Sequence, residues 1–271
     1  MQCMIFAAGM GTRLKPLTDT MPKALVPIGG EPLLKRLLNK LKKEGFERNV
    51  INVHHFGEQI IDYLRDNNNF GLDILVSDER ERLLDTGGGL LKAKDLFLPN
   101  QPILIHNVDI LSNLHLSDLM RAHSESRSVA TLVVSQRQSS RYLFFDNVNH
   151  LCGWTNSKTG ETILADHIKV LDAVQADDIK VSQSQAPAEL PSNLRPLAFA
   201  GIHVISPHVF DVMTEMGFAG AFPIMQFYLR AMNTHTIKGH VPHDFQVMDV
   251  GKIADINRAH EFATLIGQEA T

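Results

Sequence analysis

Short apolar runs alternate with amphipathic segments through the first 110 residues of the chain. The run CMIFAAG (3–9) is continuously apolar and ends in glycine, which is typical of a buried strand in a parallel sheet. Further strands are predicted at 49–55, 71–79 and 101–110, and helices at 31–45, 57–67 and 86–97. Because parallel strands need a crossover between them, this alternation predicts an α/β protein with helices on both faces of the sheet.

The second half of the chain is less regular. Strands are predicted at 128–135, 141–146 and 197–206, with a strand or two within 236–251 and a closing helix at 252–267. The polar, proline-rich stretch 175–196 predicts a loop. We therefore expect a Rossmann-like sheet that is mixed but mainly parallel.

Charge and apolar content exclude several classes of protein. The formal charge is −4 and no segment is strongly basic, which argues against a nucleic-acid partner. No apolar stretch approaches the roughly 20 residues of a membrane span, and the first apolar run lacks the basic flank of a signal peptide. We expect a cytoplasmic protein with no membrane partner, and with Cys3 and Cys152 as buried, reduced thiols.

The stretch FAAGMGTRLKPLTDTMPKAL (6–25) follows the first predicted strand. It lacks the third glycine of the dinucleotide fingerprint G-x-G-x-x-G and the G-K-[ST] of the Walker A loop. A glycine turn after a strand still exposes backbone N–H groups, and Arg13 can fork onto phosphate oxygens. Lys23, presented by the rigid Pro22, adds a point charge. The combination favours a phosphate-binding loop over an ordinary solvated loop.

Residues 9–27 match every fixed position of G-x-G-T-R-L-x-P-L-T-x-x-x-P-K-x-L-x-P and so resemble the signature of the sugar-1-phosphate nucleotidyltransferases. The resemblance extends along nearly the whole chain, most clearly over 1–115 and 197–255. It implies the nucleotide-diphospho-sugar transferase fold, which is similar to the GT-A fold, in one domain spanning 1–271. The implied parts are a nucleotide-binding half (1–115), a sugar-binding and metal half (116–250) and a C-terminal helix (251–271).

In that family the glycine loop wraps a nucleoside triphosphate. The resemblance implies that Gly11, Thr12 and Arg13 bind its phosphates. It implies that Lys23 neutralises charge near the reacting phosphate. The other implied nucleotide-binding residues are Asn107, and Ala8 and Gly9, the last two acting through their backbone.

The segment LLDTGGGLL (83–91) places three glycines at the start of a predicted helix, with Thr86 as its N-cap. Such a start leaves N–H groups free for an anion or a base edge, although close packing of the helix on the sheet is the alternative. The resemblance implies that this segment holds the nucleobase, through Thr86, Gly87 and Gly88. The triple glycine is most similar to bacterial members that uridylylate N-acetylmuramic acid 1-phosphate.

Two aspartates are candidate ligands of Mg²⁺, an ion that prefers one or two carboxylates together with phosphate oxygens and water. Asp109 ends an apolar strand at the sheet edge that carries Gly9, where α/β sheets bind ligands. It resembles the aspartate of the family's N-G-D segment, although Val108 replaces the glycine. Asp249 by itself is equally an N-cap for the last helix, but VMDVG resembles the family's second metal-binding segment.

The sugar side carries weaker signals. Relatives that make UDP-glucose or dTDP-glucose have an E-K-P segment in mid-chain, which is absent here. Lys158 is the cation nearest to that place. FAGIHVIS (199–206) resembles the strand that lines the family's sugar pocket, which makes Ala200, Gly201 and Ile202 candidate sugar contacts.

These residues favour an enzyme that joins a nucleoside triphosphate to a sugar 1-phosphate and releases pyrophosphate, with Arg13, Lys23, Asp109 and Asp249 as its catalytic residues. The preferred substrates are UTP and an amino-sugar 1-phosphate such as N-acetylmuramic acid 1-phosphate. Guanylyl transfer to mannose 1-phosphate or a heptose 1-phosphate is the alternative within the class. A non-catalytic, nucleotide-binding regulatory homologue is the alternative outside it, which the presence of all four charged residues disfavours.

Overall fold

A computed structural model describes residues 1–168 and 193–268 of the chain. Most of the predicted loop at 175–196 lies outside these residues. The last residues of that stretch belong to a strand that begins at Arg195.

The described secondary structure alternates strands and helices first and becomes strand-rich later. The strands are β1 (Gln2–Phe6), β2 (Pro27–Ile28), β3 (Glu31–Pro32), β4 (Arg48–Val53), β5 (Asp73–Asp78), β6 (Ile103–Asn107), β7 (Ile110–Ser112), β8 (Ala130–Ser135), β9 (Arg141–Phe145), β10 (Leu151–Asn156), β11 (Thr162–Leu164), β12 (Arg195–Ile205), β13 (Ile237–His240) and β14 (Val247–Asp249). The helices are α1 (Leu33–Lys43), α2 (Gly57–Asp66), α3 (Asp85–Lys92), α4 (Leu116–Ser126), α5 (Val209–Glu215), α6 (Ile224–Ala231) and α7 (Ile256–Gln268).

The central sheet confirms the predicted mixed α/β architecture. Its strand order is β11-β10-β9-β12-β6-β1-β4-β5, with β8 beside β12 and β13 beside β8. Strands β6, β1, β4 and β5 are parallel, whereas β12 runs antiparallel to β6, β8 and β9. The carboxyl ends of the four parallel strands therefore meet at one edge of the sheet.

Both faces of the sheet are covered. Alternate residues of β1 point to opposite faces, so Cys3 and Ile5 belong to one buried cluster and Met4 to the other. Helices α1, α2, α4 and α7 pack on the first face, and α3, α5 and α6 pack on the second. Leu33, Leu34, Leu37, Leu38 and Leu41 form the buried stripe of α1.

Two local predictions need correction. Helix α3 begins at Asp85, and the Thr86 hydroxyl accepts a hydrogen bond from the Ile224 N–H (2.9 Å), so Thr86 is not the N-cap of its own helix. The predicted strand at 101–110 is two strands, because the chain leaves the sheet after Asn107.

Cys3 and Cys152 are buried free thiols, as predicted. Across the parts of the chain that the structure describes, the helices are too short or too polar to span a bilayer.

Buried histidines make the fold sensitive to acid. Burial lowers the pKa of His106 and of His123 to about 4 and that of His203 to about 3. Because the unfolded chain takes up these protons near pH 6.5 and the folded chain does not, unfolding becomes easier as the pH falls below about 6.5. We expect each histidine to lower the free energy of unfolding by about 1.4 kcal/mol per pH unit between about pH 6 and its folded pKa.

Urea unfolding at pH 7.5, 6.0 and 5.0 measures this slope. His203→Leu is the matched variant, because both ring nitrogens of His203 are buried without a hydrogen-bond partner among the described residues. In this variant the free energy of unfolding should fall less steeply with decreasing pH, by about 1.4 kcal/mol per pH unit. A pH dependence equal to that of the unmodified protein would contradict the role of His203.

Candidate active site

The loop after β1 is compact. It contains three short 3₁₀ turns: Thr12–Leu14, Leu17–Asp19 and Lys23–Leu25. Gly11 precedes the first turn with a φ of 62°, in the left-handed region that favours glycine. A Cβ atom on Gly11 would lie 2.8 Å from Cγ2 of Thr18 and 3.3 Å from Cβ of Lys23. The loop therefore folds back on itself and brings Lys23 against the glycine turn.

The four charged residues predicted from the sequence come together at the carboxyl edge of the parallel strands. Lys23 and Asp109 form an ion pair whose side chains are 11% and 18% exposed. The carboxylate of Asp109 lies close enough to Asp249 to raise the pKa of its carboxyl group. A Cβ atom on Gly251 would lie 2.9 Å from Oδ1 of Asp249 and 3.3 Å from Nη2 of Arg13. Two acidic and two basic side chains therefore lie close together.

Backbone pairing holds the two aspartates together. Strands β7 and β14 are antiparallel, and Asp249 stands opposite Ile110. The Val250 N–H donates to the Asp109 carbonyl oxygen (2.9 Å). Helix α7 begins only at Ile256, so the alternative interpretation of Asp249 as a helix N-cap is wrong.

The electrostatics of the aspartate pair favour a cation. The pKa of Asp249 is raised, first because its carboxyl group is partly desolvated and second because the Asp109 carboxylate lies beside it. Lys23 and Arg13 oppose this shift. The described residues contain no group of three or more His, Cys, Asp and Glu that could hold a metal by itself. The donor set nevertheless fits an ion such as Mg²⁺, which takes two carboxylates and completes its shell with phosphate oxygens and water.

A cavity of about 370 Å³ opens beside this cluster. Its walls come from the ends of β1, β4 and β6, from the glycine loop and from the segment before α3. The predicted residues that line it are Ala8, Gly9, Gly11, Thr12, Arg13, Lys23, Thr86, Asn107 and Asp109. A cavity of this kind, at the carboxyl edge of parallel strands, is where α/β sheets bind ligands.

Gly87 and Gly88 are placed differently from the expectation of free N–H groups. Both N–H groups donate to the carbonyl oxygen of Phe222, at 2.8 and 3.2 Å. A Cβ atom on Gly87 would lie 2.2 Å from the Phe222 ring, and one on Gly88 would lie 2.1 Å from the carbonyl oxygen of Gly220. Neither residue is among those that line the cavity. The two glycines thus allow close packing of α3 on the segment before α6.

The predicted sugar contacts are not among the residues that line the cavity. Ala200 and Ile202 are buried in β12. Gly201 has a φ of 75°, and a Cβ atom there would lie 2.8 Å from Nδ2 of Asn107, so this glycine borders the site. Lys158 is exposed in the turn between β10 and β11, and the structure does not bring it to the cavity.

Some cavity residues were not anticipated. Met10 and Leu83 are apolar but 48% and 38% exposed, and both face the cavity. Asp85 lines the cavity with a φ of 58°, an unfavourable conformation for a residue with a side chain. Asn52, at the end of β4, is 3% exposed and also lines it. The only signal in the sequence for Asn52 is a polar residue within an apolar strand.

Comparison with known proteins places the chain in a family. The sequence model of the Nucleotidyl transferase family matches residues 2–143. The chain is 29% identical to an N-acetylmuramate alpha-1-phosphate uridylyltransferase of Neisseria meningitidis, over 97% of this chain and 98% of the relative. It is 27% identical to a UTP–glucose-1-phosphate uridylyltransferase of Synechocystis over 94% of its length, but it spans only 61% of that relative.

A solved structure of UDP-glucose pyrophosphorylase complexed with UDP-glucose shares the fold. Its TM-score is 0.68 at 17% identity, with 99% of this chain and 98% of that chain covered. Because the family's sequence model matches residues 2–143, the chain belongs to the nucleotidyl transferase family. The predictions of the fold and of the class, a sugar-1-phosphate nucleotidyltransferase, are confirmed. Members of this family generally use divalent metal ions.

Proposed function

We propose that the protein transfers a uridylyl group from UTP to an amino-sugar 1-phosphate, such as N-acetylmuramic acid 1-phosphate, and releases pyrophosphate. The convergence of Arg13, Lys23, Asp109 and Asp249 beside the cavity carries the proposal. The Neisseria relative, similar over nearly the full length of both chains, supports the choice of base and sugar. In this proposal residues 1–115 bind the nucleotide, 116–250 supply the sugar contacts and the second acid, and helix α7 covers the sheet.

The reaction is an in-line displacement at the α-phosphorus. An oxygen of the sugar 1-phosphate forms the new P–O bond, and the bond to the β-phosphate oxygen breaks, so the electron pair leaves with pyrophosphate. The attacking phosphate monoester is already anionic near neutral pH, since its second pKa is about 6. No general base is therefore needed, and catalysis rests on positioning and charge neutralisation.

Each charged residue has a proposed task. Arg13, at the mouth of the cavity, binds the phosphates that become pyrophosphate. Lys23 is held in place by Asp109 until substrate arrives, and then neutralises the charge that builds up at the α-phosphate. Asp109 and Asp249 would hold Mg²⁺, which lowers repulsion between the two phosphates when it is bound.

Pyrophosphate release from a panel of substrates tests the proposal. UTP, GTP, CTP, dTTP and ATP are each paired with the 1-phosphates of N-acetylmuramic acid, N-acetylglucosamine, glucose and mannose. We expect the highest kcat/KM for UTP with an amino-sugar 1-phosphate, and loss of activity when EDTA is added. Preference for GTP with mannose 1-phosphate would support guanylyl transfer instead. Nucleotide binding without pyrophosphate release in any pair would indicate a non-catalytic homologue.

A further inference from the structure

A buried carboxylate lies directly behind the cavity. Glu79 follows β5 and is 1% exposed. Its Oε1 accepts a hydrogen bond from Nδ2 of Asn52 (2.9 Å), and its Oε2 accepts one from the Leu84 N–H (2.9 Å). In the described part of the chain Glu79 has no ion-pair partner, so these donors stabilise its charge. Leu84 belongs to the segment that leads into α3.

Asn52 connects this carboxylate to the glycine turn. Its Oδ1 accepts hydrogen bonds from the N–H groups of Ala7 (2.8 Å) and Ala8 (3.3 Å). A single chain of hydrogen bonds therefore joins three walls of the cavity: the end of β1, the end of β4 and the segment before α3.

The charge of Glu79 determines which way the Asn52 amide points. Both groups that reach Glu79 are donors, namely the Asn52 NH₂ and the Leu84 N–H, so Glu79 must offer two acceptor oxygens. An ionised carboxylate does so. Asn52 must then direct its oxygen toward Ala7 and Ala8, whose N–H groups are buried and need an acceptor.

The third glycine of the TGGG segment makes room for this arrangement. A Cβ atom on Gly89 would lie 2.5 Å from Oε1 of Glu79 and 3.3 Å from Nδ2 of Asn52. Any side chain at this position would push the carboxylate away from the asparagine.

We propose that Glu79 is a positioning residue for the nucleotide site. Acting through Asn52, it fixes the peptide planes of Ala7 and Ala8 and so the direction in which the following glycine turn enters the cavity. The inference rests on the proposed function in one respect, namely that the cavity binds the triphosphate.

An exchange of amide and carboxylate tests the proposal. In Glu79→Gln, the new NH₂ group must face either the NH₂ group of Asn52 or the Leu84 N–H, both of which are donors. If the Asn52 amide rotated to offer its oxygen instead, its NH₂ group would face the N–H groups of Ala7 and Ala8. In Asn52→Asp, two carboxylates face each other. In the double variant, the amide at position 79 donates to the carboxylate at position 52 and accepts from the Leu84 N–H. The carboxylate at position 52 in turn accepts from the N–H groups of Ala7 and Ala8. Every group thus regains a partner at unchanged net charge.

The first measurement is amide hydrogen exchange of the free protein, which does not depend on the proposed substrates. We expect Ala7 and Ala8 to exchange at least tenfold faster in each single variant and at the original rate in the double variant. Unchanged exchange in both single variants would overturn the inference. If a single variant does not fold, the double variant must recover both folding and slow exchange, and its failure to do so would also overturn it.

The second measurement is steady-state kinetics with UTP. We expect each single variant to raise the KM for UTP about tenfold while the KM for the sugar 1-phosphate stays within twofold. The double variant should bring the KM for UTP back toward the original value, short of it by the repulsion between the triphosphate and the carboxylate now at position 52, which lines the cavity. If Glu79 had a purely structural role, each single variant would raise the KM for UTP and the KM for the sugar 1-phosphate together. That result would overturn the inference. Absence of turnover in the unmodified protein would count against the proposed function alone, because the exchange experiment still decides the role of Glu79.

Discussion

Asp109→Asn is expected to lower turnover on the order of a thousandfold while the protein stays folded. The substitution keeps the shape of the side chain but removes the charge that pairs with Lys23 and, in the proposed mechanism, half of the metal site. Lys23 then loses its partner, and Asp249 remains as a single acid. Pyrophosphate release at saturating substrate measures the effect, and circular dichroism confirms the fold.

Asp118→Asn is the matched control. Asp118 pairs with Arg121 on the exposed surface of α4, where its side chain is 51% exposed. The same chemical change there should leave turnover within about twofold, since exposed ion pairs contribute little. If Asp109→Asn retained nearly normal turnover, the proposed roles of Asp109 and of its metal would be wrong.

Gly88→Ala is expected to destabilise the protein by about 3 kcal/mol. Its Cβ atom would lie 2.1 Å from the Gly220 carbonyl oxygen and 3.1 Å from the Gly220 carbonyl carbon. Because these are backbone atoms, α3 and the segment before α6 must separate. In an exposed helix the same change would stabilise the protein by about 1 kcal/mol, so the sign of the effect identifies the cause. The midpoint of urea unfolding measures it.

Gly9→Ala provides the comparison. A Cβ atom on Gly9 has no neighbour within 4 Å in the part of the chain that the structure describes. Its free energy of unfolding should therefore stay within about 0.5 kcal/mol of the original value, as for most surface substitutions. Equal unfolding midpoints for the two variants would show that the contact between Gly88 and Gly220 relaxes without cost.

The strands and helices of the first half were predictable because each depends on neighbouring residues. The apolar run that forms β1 and the leucine stripe of α1 both mark their elements locally. The position of β12 was not predictable in the same way. It pairs with β6, β8 and β9, and the residues of a strand do not by themselves indicate which distant strands it will pair with.

Part of the charged cluster was predictable for a related reason, whereas Asp249 was expected only from the resemblance to the family's second metal-binding segment. A glycine turn and Asp109 both follow buried strands, and the ends of parallel strands meet at one edge. The prediction for Gly87 and Gly88 could not foresee that Phe222, far along the chain, would accept both of their N–H groups. Glu79 was missed because it stands in the charged run DERER (78–82), which usually faces solvent, and only the fold shows it to be buried.

The pairing of β7 with β14 also has a consequence for the timing of synthesis. Asp109, the first of the two proposed metal ligands, is made well before Asp249, the second. A ribosome that has produced the whole glycine loop and Asp109 has therefore not yet produced Asp249. The nascent chain therefore gains the complete charged cluster only when β14 has emerged.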